Sequence, residues 1–236
     1  MVNNFFSFKQ FIIYQDKSAF KVGTDGVLLG ACADISSANR ILDIGTGTGL
    51  ITIMLAQRSN AEIVAIEPDY DSYIQACENV TLCKWRTRIK VRNCDLQNYF
   101  PGHEKFDLIV TNAPYFTNSM KNPDSRKTFS RHNDSLTQKE LLSGTIRLLE
   151  DNGKFQIIMP YAEGSVFIAE AQQWGLYCNS ILKIKPVPSA GIRRLILGFS
   201  RKKKKVNEKF LTIEKGRRHE FTEEYVNLTK DFYLKF

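Results

Sequence analysis

The chain has 236 residues, 43% of them hydrophobic and 25% charged, enough apolar material for one domain with a sizeable core. Its net charge is +8 and its pI near 9.2, and no run approaches the ~18 apolar residues of a membrane helix, so disorder and a membrane span are excluded. The Phe-rich start is broken by Lys9, Gln10 and Asp16 and does not read as a signal peptide. Cys32, Cys77, Cys83, Cys94 and Cys178 contain no CxxC spacing, so free thiols in a reducing cytoplasm are expected. No His/Cys/carboxylate cluster has metal-ligand spacing, and no metal is expected.

Apolar runs alternate with helical patterns along most of the chain. Residues 41–44 read as a buried strand and Leu50–Arg58 as the helix after it. Residues 63–66 form a second strand, 70–80 a second helix, 89–91 a short third strand and Phe106–Thr111 a fourth. Thr137 with Glu140 three residues on is a capping-box pattern, and it starts a helix over 137–149. Asn152 and Gly153 read as the end of that helix, with residues 154–159 as a fifth strand. Residues 180–185 and Arg194–Ser200 are two more strands, joined by a link too short for a crossover helix. They are expected to form an antiparallel pair at one sheet edge. Phe221, Tyr225, Leu228 and Phe232 recur at helical spacing and predict a C-terminal amphipathic helix docked on the core. The expected fold is α/β, a single domain with a doubly wound, mostly parallel, seven-stranded Rossmann-like sheet and an antiparallel edge hairpin.

A glycine turn follows the first strand, with Gly45, Gly47 and Gly49 spaced G-x-G-x-G rather than the G-x-G-x-x-G of dinucleotide binders. Such a turn brings backbone close to a ligand and aims free N–H groups at it. Glu67 ends the second strand, where a carboxylate can accept both hydrogen bonds of a ribose diol. Asp95 follows the third strand, within reach of an adenine amine, and Asp43 is placed to orient the turn or the ammonium of a methionine moiety. Acids at three successive strand ends point to S-adenosylmethionine.

Asn112-Ala-Pro-Tyr115 follows the fourth strand. The exocyclic amine of adenine is a poor nucleophile, because its lone pair is delocalised into the ring. The amide oxygen of Asn112 and the carbonyl of Ala113 can each accept one N–H bond, pulling the nitrogen toward tetrahedral geometry. Pro114 shapes the turn, Tyr115 can stack on the base, and Phe116 adds a second ring. Positioning supplies most of the catalysis, and no strong base is needed.

These residues resemble the amino-group methyltransferases with an Asn-Pro-Pro-Tyr motif. Among them the chain is similar over nearly its whole length to the bacterial family that N6-methylates adenosine 37 of a valine tRNA. The similarity rests on Phe6-Ser-Phe-Lys-Gln-Phe11, Lys21-Val-Gly-Thr-Asp-Gly-Val-Leu-Leu-Gly30, residues 43–50, Ala56-Gln57-Arg58, residues 105–116 and Leu228-Thr-Lys-Asp-Phe-Tyr-Leu-Lys235. The resemblance implies that residues 1–35 cover the cofactor, with Lys21 and Thr24 beside it and Thr24 near its methionine end. It also implies that basic surfaces hold the tRNA anticodon arm. One position departs from the pattern: Ala113 stands where the family has proline. The accepting carbonyl survives that change, while the restriction a proline imposes on Asn112 is lost, a stiffening worth ~0.4–1 kcal/mol.

Two basic stretches carry the RNA expectation. Lys84, Arg86, Arg88, Lys90 and Arg92 alternate without an acid, and a strand through 89–91 would put Arg88, Lys90 and Arg92 on one face. Residues 183–205 hold nine basic residues and no acid. Arg126, Lys127 and Arg131 follow the Asn112 turn and are further candidates for phosphate contact, with His132 beside them. The expected partner is tRNA, bound by a cytoplasmic monomer; no DNA or membrane partner is expected. Open alternatives are a guanine N2 of ribosomal RNA or a protein glutamine amide as acceptor, and a non-catalytic RNA-binding or cofactor-sensing protein. A nicotinamide-dependent dehydrogenase is disfavoured by the glycine spacing.

Overall fold

A computed structural model describes residues 3–112 and 136–236. The chain opens with a short antiparallel pair, β1 (Phe5–Ser7) and β2 (Ile12–Tyr14), and then helix α1 (Thr24–Cys32). There follow β3 (Arg40–Ile44), α2 (Leu50–Arg58), β4 (Glu62–Glu67), α3 (Tyr70–Leu82), β5 (Ile89–Asn93) and β6 (Phe106–Thr111). After residue 136 come α4 (Gln138–Leu148), β7 (Leu149–Pro160), α5 (Tyr161–Gln173), β8 (Tyr177–Lys185), β9 (Arg194–Ser200), β10 (Asn207–Thr212) and α6 (Glu223–Thr229). Eight strands form the main sheet in the order β10-β8-β9-β7-β6-β3-β4-β5. Only β9 runs antiparallel to its neighbours, β7 and β8.

Side-chain alternation explains the double winding. Ile41 of β3 and Val110 of β6 face a core shared with α1, α2, α3 and α6, while Leu42 and Ile109 face a second core with α4 and α5. The chain enters each helix where its local chemistry allows. Thr137 and Glu140 form the capping box at α4, with the Glu140 N–H 3.2 Å from Thr137 Oγ1 and the Thr137 N–H 2.8 Å from Glu140 Oε2. Asp69 caps α3 through the Ser72 N–H at 2.9 Å.

The expected α/β sheet is present, and the edge hairpin is extended by β10, which pairs parallel with β8. Asn152 and Gly153 do not end α4. The helix stops at Leu148, β7 begins at once, and the pairing of β6 jumps from Leu149 to Lys154. Asn152 and Gly153 sit in that bulge, where a Cβ on Gly153 would lie 2.7 Å from Leu149 Cδ1. The C-terminal aromatic residues do dock on the core, although the helix spans only Glu223–Thr229 and leaves Phe221 and Phe232 flanking it.

Gly30 lets α1 approach α2 closely. A Cβ there would stand 2.7 Å from the Met54 sulfur and 3.0 Å from Met54 Cβ. Gly30→Ala is therefore expected to destabilise the fold by about 1–3 kcal/mol, read as a lower urea midpoint with an unchanged slope. An unchanged midpoint would mean that the two helices separate without penalty.

Candidate active site

Three parallel strands end level with one another. Ile44 of β3 pairs with Ile66 of β4 on one side and with Thr111 of β6 on the other. The next residues along the three chains are Gly45, Glu67 and Asn112. They stand in a row at the carboxyl end of the sheet, with adjacent strands ~4.8 Å apart. The Thr111 hydroxyl donates to the Ile44 carbonyl at 2.9 Å and ties the strands together at this level. The strand order also reverses here, with β4 and β5 to one side of β3 and β6 and β7 to the other. Open α/β sheets hold their ligands at such a switch point.

The glycine turn needs its glycines for two different reasons. Gly45, Gly47 and Gly49 have φ of 70°, 57° and 81°, a region that costs other residues about 1–2 kcal/mol. A Cβ on Gly45 or Gly47 would meet no atom within 4 Å, so both border open space. Gly49 instead backs onto Ala76 of α3, at 3.6 Å from its Cα and its Cβ. The Gly45 and Thr46 N–H groups hold the turn to the Ile66 carbonyl, at 2.9 and 3.1 Å.

Two buried carboxylates support the turn. Asp43 Oδ2 accepts the hydroxyls of Thr46 and Thr52, each at 2.7 Å, and Oδ1 is buried without a hydrogen-bond partner among the described residues. Burial pushes its pKa up, against the pull of the two hydroxyls. Through these two hydroxyls Asp43 is tied to Thr46 in the turn and to Thr52 in the first turn of α2. Glu67 is 8% exposed; its Oε2 accepts the Gly47 N–H at 2.8 Å and its Oε1 the Asp69 N–H at 3.1 Å. Burial pushes its pKa up to about 7 even though both N–H groups favour the charge.

Asn112 is half-buried, and its Nδ2 lies 3.9 Å from where a Cβ on Gly26 would stand. The same position is 3.1 Å from Cδ2 of Leu50, which directly follows the glycine turn. The first turn of α1 therefore reaches both the glycine turn and Asn112, as residues 21–26 must if they cover a ligand there. Thr24 is exposed in that turn, and the Lys21 ammonium donates to the Gln15 carbonyl. Asp95 lies just beyond β5 and accepts the Asn98 backbone and side-chain N–H groups at 2.7 and 3.0 Å. Ala113, Pro114, Tyr115, Phe116, Arg126, Lys127, Arg131 and His132 lie outside the described residues.

Residues 35–216 match the profile of a family described as a methyltransferase domain. The chain is 46% identical to the tRNA1(Val) (adenine(37)-N6)-methyltransferase of Trichodesmium erythraeum, with 100% of both chains covered. It is 45% identical to the protein of that name from Bacteroides fragilis, again over 100% of both. The chain belongs to the tRNA1(Val) (adenine(37)-N6)-methyltransferase family. Among solved structures, a predicted O-methyltransferase from Agrobacterium tumefaciens matches 88% of this chain and 96% of its own, with a TM-score of 0.65 and 20% identity. TYW2 of M. jannaschii, solved in complex with AdoMet, matches at a TM-score of 0.58 and 18% identity, over 84% of this chain and 86% of its own. These two show the fold.

The family's methyl donor is S-adenosylmethionine, and the residues of this methyltransferase at the sheet end fit it. The space beside Gly45 and Gly47 is where a side chain would intrude on a ligand, and Glu67 stands at its border. Asparagines absent from the expected site complete its frame. Asn79, fully buried on α3, donates to the carbonyls of Thr48 and Tyr14 at 2.8 Å each and accepts the Tyr14 N–H at 2.9 Å. It thereby ties the β1–β2 segment to the glycine turn. Asn93 donates to the Glu67 and Pro68 carbonyls at 2.9 and 3.1 Å. The signal for Asn79 was a polar residue at an inward position of a helix; a strand-end Asn93 gives no such signal.

The basic stretches divide on inspection. Arg86 and Arg88 lie in a short 3-10 turn before β5, not on the strand. Arg88 turns inward and donates to the Ala61 and Ala56 carbonyls at 2.8 and 3.0 Å, so it serves the fold. Arg86 is exposed and makes a long 3.4 Å contact to the Thr81 carbonyl, and Lys90 is exposed on β5. In the second stretch Arg194 pairs with Asp25 at 2.7 Å, Lys183 with Glu208 at 2.5 Å, and Arg201 donates to the Ile146 and Leu149 carbonyls. Five free cysteines lie among the described residues, and no described helix is long and apolar enough to cross a membrane.

Proposed function

We propose that this chain transfers a methyl group from S-adenosylmethionine to the N6 amine of adenosine 37, beside the anticodon of a valine tRNA in the cytoplasm. The observation that carries the reading is the row of Gly45, Glu67 and Asn112, which sets an amide at the same sheet end as the open space bordering Gly45 and Gly47. Whole-length identity of 46% and 45% to relatives bearing that name supports the substrate.

When bound, S-adenosylmethionine supplies an electrophilic methyl carbon. Glu67 would hold its ribose hydroxyls and Asp95 its adenine amine, with the glycine turn giving backbone contact. Asn112 accepts one N–H of the target amine through its side-chain oxygen, and the Ala113 carbonyl accepts the other. Holding both hydrogens frees the nitrogen lone pair from the ring. The amine is cationic once methylated, so its proton passes to water and no strong general base is required. Pro114 is assigned to shaping the turn, and Tyr115 and Phe116 to stacking on the base. The base must leave its stack to reach Asn112, and a loop nucleotide does so at lower cost than one in a duplex.

The test is methyl transfer from labelled S-adenosylmethionine to total unmodified tRNA, followed by nucleoside mass spectrometry. N6-methyladenosine at position 37 of one valine tRNA is expected. Label in N2-methylguanosine or in protein would move the acceptor, and no label despite cofactor binding would overturn the reading.

A further inference from the structure

On the sheet face that carries α4, no described helix covers β4 and β5, and the chain between Asp95 and Phe106 folds over the gap instead. A cavity of about 310 Å³ remains beneath it. Four cations and two carboxylates line it: Arg40, Arg88, Lys90 and Arg92 against Glu62 and Glu104. Two of the cations are engaged, Arg40 with Glu104 and Arg88 with main-chain carbonyls. Lys90 and Arg92 are exposed, alternate on one face of β5, and form no ion pair among the described residues.

Beside them an aromatic ring is held out to solvent. Arg147 of α4 donates to the Tyr99 and Leu96 carbonyls at 2.7 and 2.8 Å, and its guanidinium carbon sits 4.6 Å from the Phe100 ring centroid. That clamp fixes the loop and covers part of the ring, yet Phe100 stays 71% exposed. An exposed ring with free cations at strand spacing has the chemistry that recognises a nucleotide, a stacking surface with charges for phosphate.

We propose that this cavity docks an unstacked nucleotide of the RNA substrate other than the one methylated, its base on Phe100 and the flanking phosphates on Lys90 and Arg92. The inference rests on the RNA-methylating reading above. The cavity reaches the first residues of β3 and β4, Arg40 and Glu62, and β5 leads from it to Asn93, which donates to the carbonyls of Glu67 and Pro68 at the other end of the sheet.

The experiment measures tRNA affinity by filter binding across a salt series, together with cofactor affinity by calorimetry, for the full chain and its variants. Phe100→Ala is expected to weaken tRNA binding about tenfold and to leave cofactor binding and the melting temperature unchanged. Lys90→Gln with Arg92→Gln is expected to lower the salt slope by about 1.5, the share of two phosphates. Steady-state methylation should show the loss in KM and not in kcat. If wild type binds and methylates tRNA while both variants match it, the subsite is overturned and the enzymatic reading stands. If wild type binds no RNA, both fall together. Phe100→Leu should recover little, since bulk without an aromatic face cannot stack; full recovery would also overturn the proposal.

Discussion

Asn112→Ala should reduce methyl transfer by about 10²–10³-fold, the usual cost of removing one preorganised group at a developing charge, with S-adenosylmethionine affinity nearly unchanged. The side chain directly follows β6, with its Nδ2 3.9 Å from where a Cβ on Gly26 would stand. Its truncation leaves the glycine turn and Glu67 in place, so the loss falls on kcat. The lost interaction belongs to the acceptor amine, which binds whether or not it is poised to react. Asn112→Asp keeps an acceptor oxygen while adding a charge, and should fall between the two. Single-turnover measurement with saturating cofactor separates this from weaker binding. Unchanged turnover in Asn112→Ala would remove Asn112 from the chemistry and leave it a strand-end residue.

Cofactor affinity should fall as pH drops below 7, by at most about tenfold per pH unit before it reaches the weaker binding of the protonated form, and level off above 7, since one deprotonation is linked to binding. Glu67 carries this linkage. Burial raises its pKa to about 7, so in acid it is protonated and has one acceptor fewer for a ribose diol. The stability of the ligand-free fold runs the other way. Between the ordinary carboxylate range and 7 the native state binds a proton that the unfolded chain has released, so stability falls as pH rises through that window. Acid thus favours the empty fold while it disfavours the cofactor, a pair of opposite trends that general acid damage would not produce. Glu67→Gln should flatten the binding profile at its low-pH value. Calorimetric titrations across the neutral range decide it, and a flat wild-type profile would sink the assignment.

Much of this arrangement is legible in the sequence because it is local. The G-x-G-x-G turn after a buried strand, the capping box at Thr137 and Glu140, and the alternation of strands with helices depend on neighbours within a few residues. Their physics is one of propensity and period, so strands β3 to β9 and the α2, α3 and α4 helices are recognisable from spacing alone, while β1, β2 and β10 are not. Helix α5 has no such mark: it starts directly from Pro160 at the end of β7, without a side-chain cap. The Asn152 and Gly153 pair misleads for a related reason, since the same dipeptide suits a helix end and a strand bulge, and only pairing with β6 selects the bulge.

The sequence by itself determined the α/β class, the glycine turn after the first strand of the main sheet and the asparagine that follows β6, since each is carried by a short run of chain. Only the tertiary structure decided which groups are spent and which are available. Arg88 and Lys90 are alike in a one-dimensional charge pattern, yet one is locked to the Ala56 and Ala61 carbonyls and the other faces solvent. Asp43 and Glu67 are both strand-end acids, yet one lies beneath the turn and the other borders the open space beside it. Register does this work: pairing Ile44 with both Ile66 and Thr111 brings Gly45, Glu67 and Asn112 into one row. Residues separated by dozens of positions meet only because parallel strands align them, and that alignment is a property of the sheet as a whole.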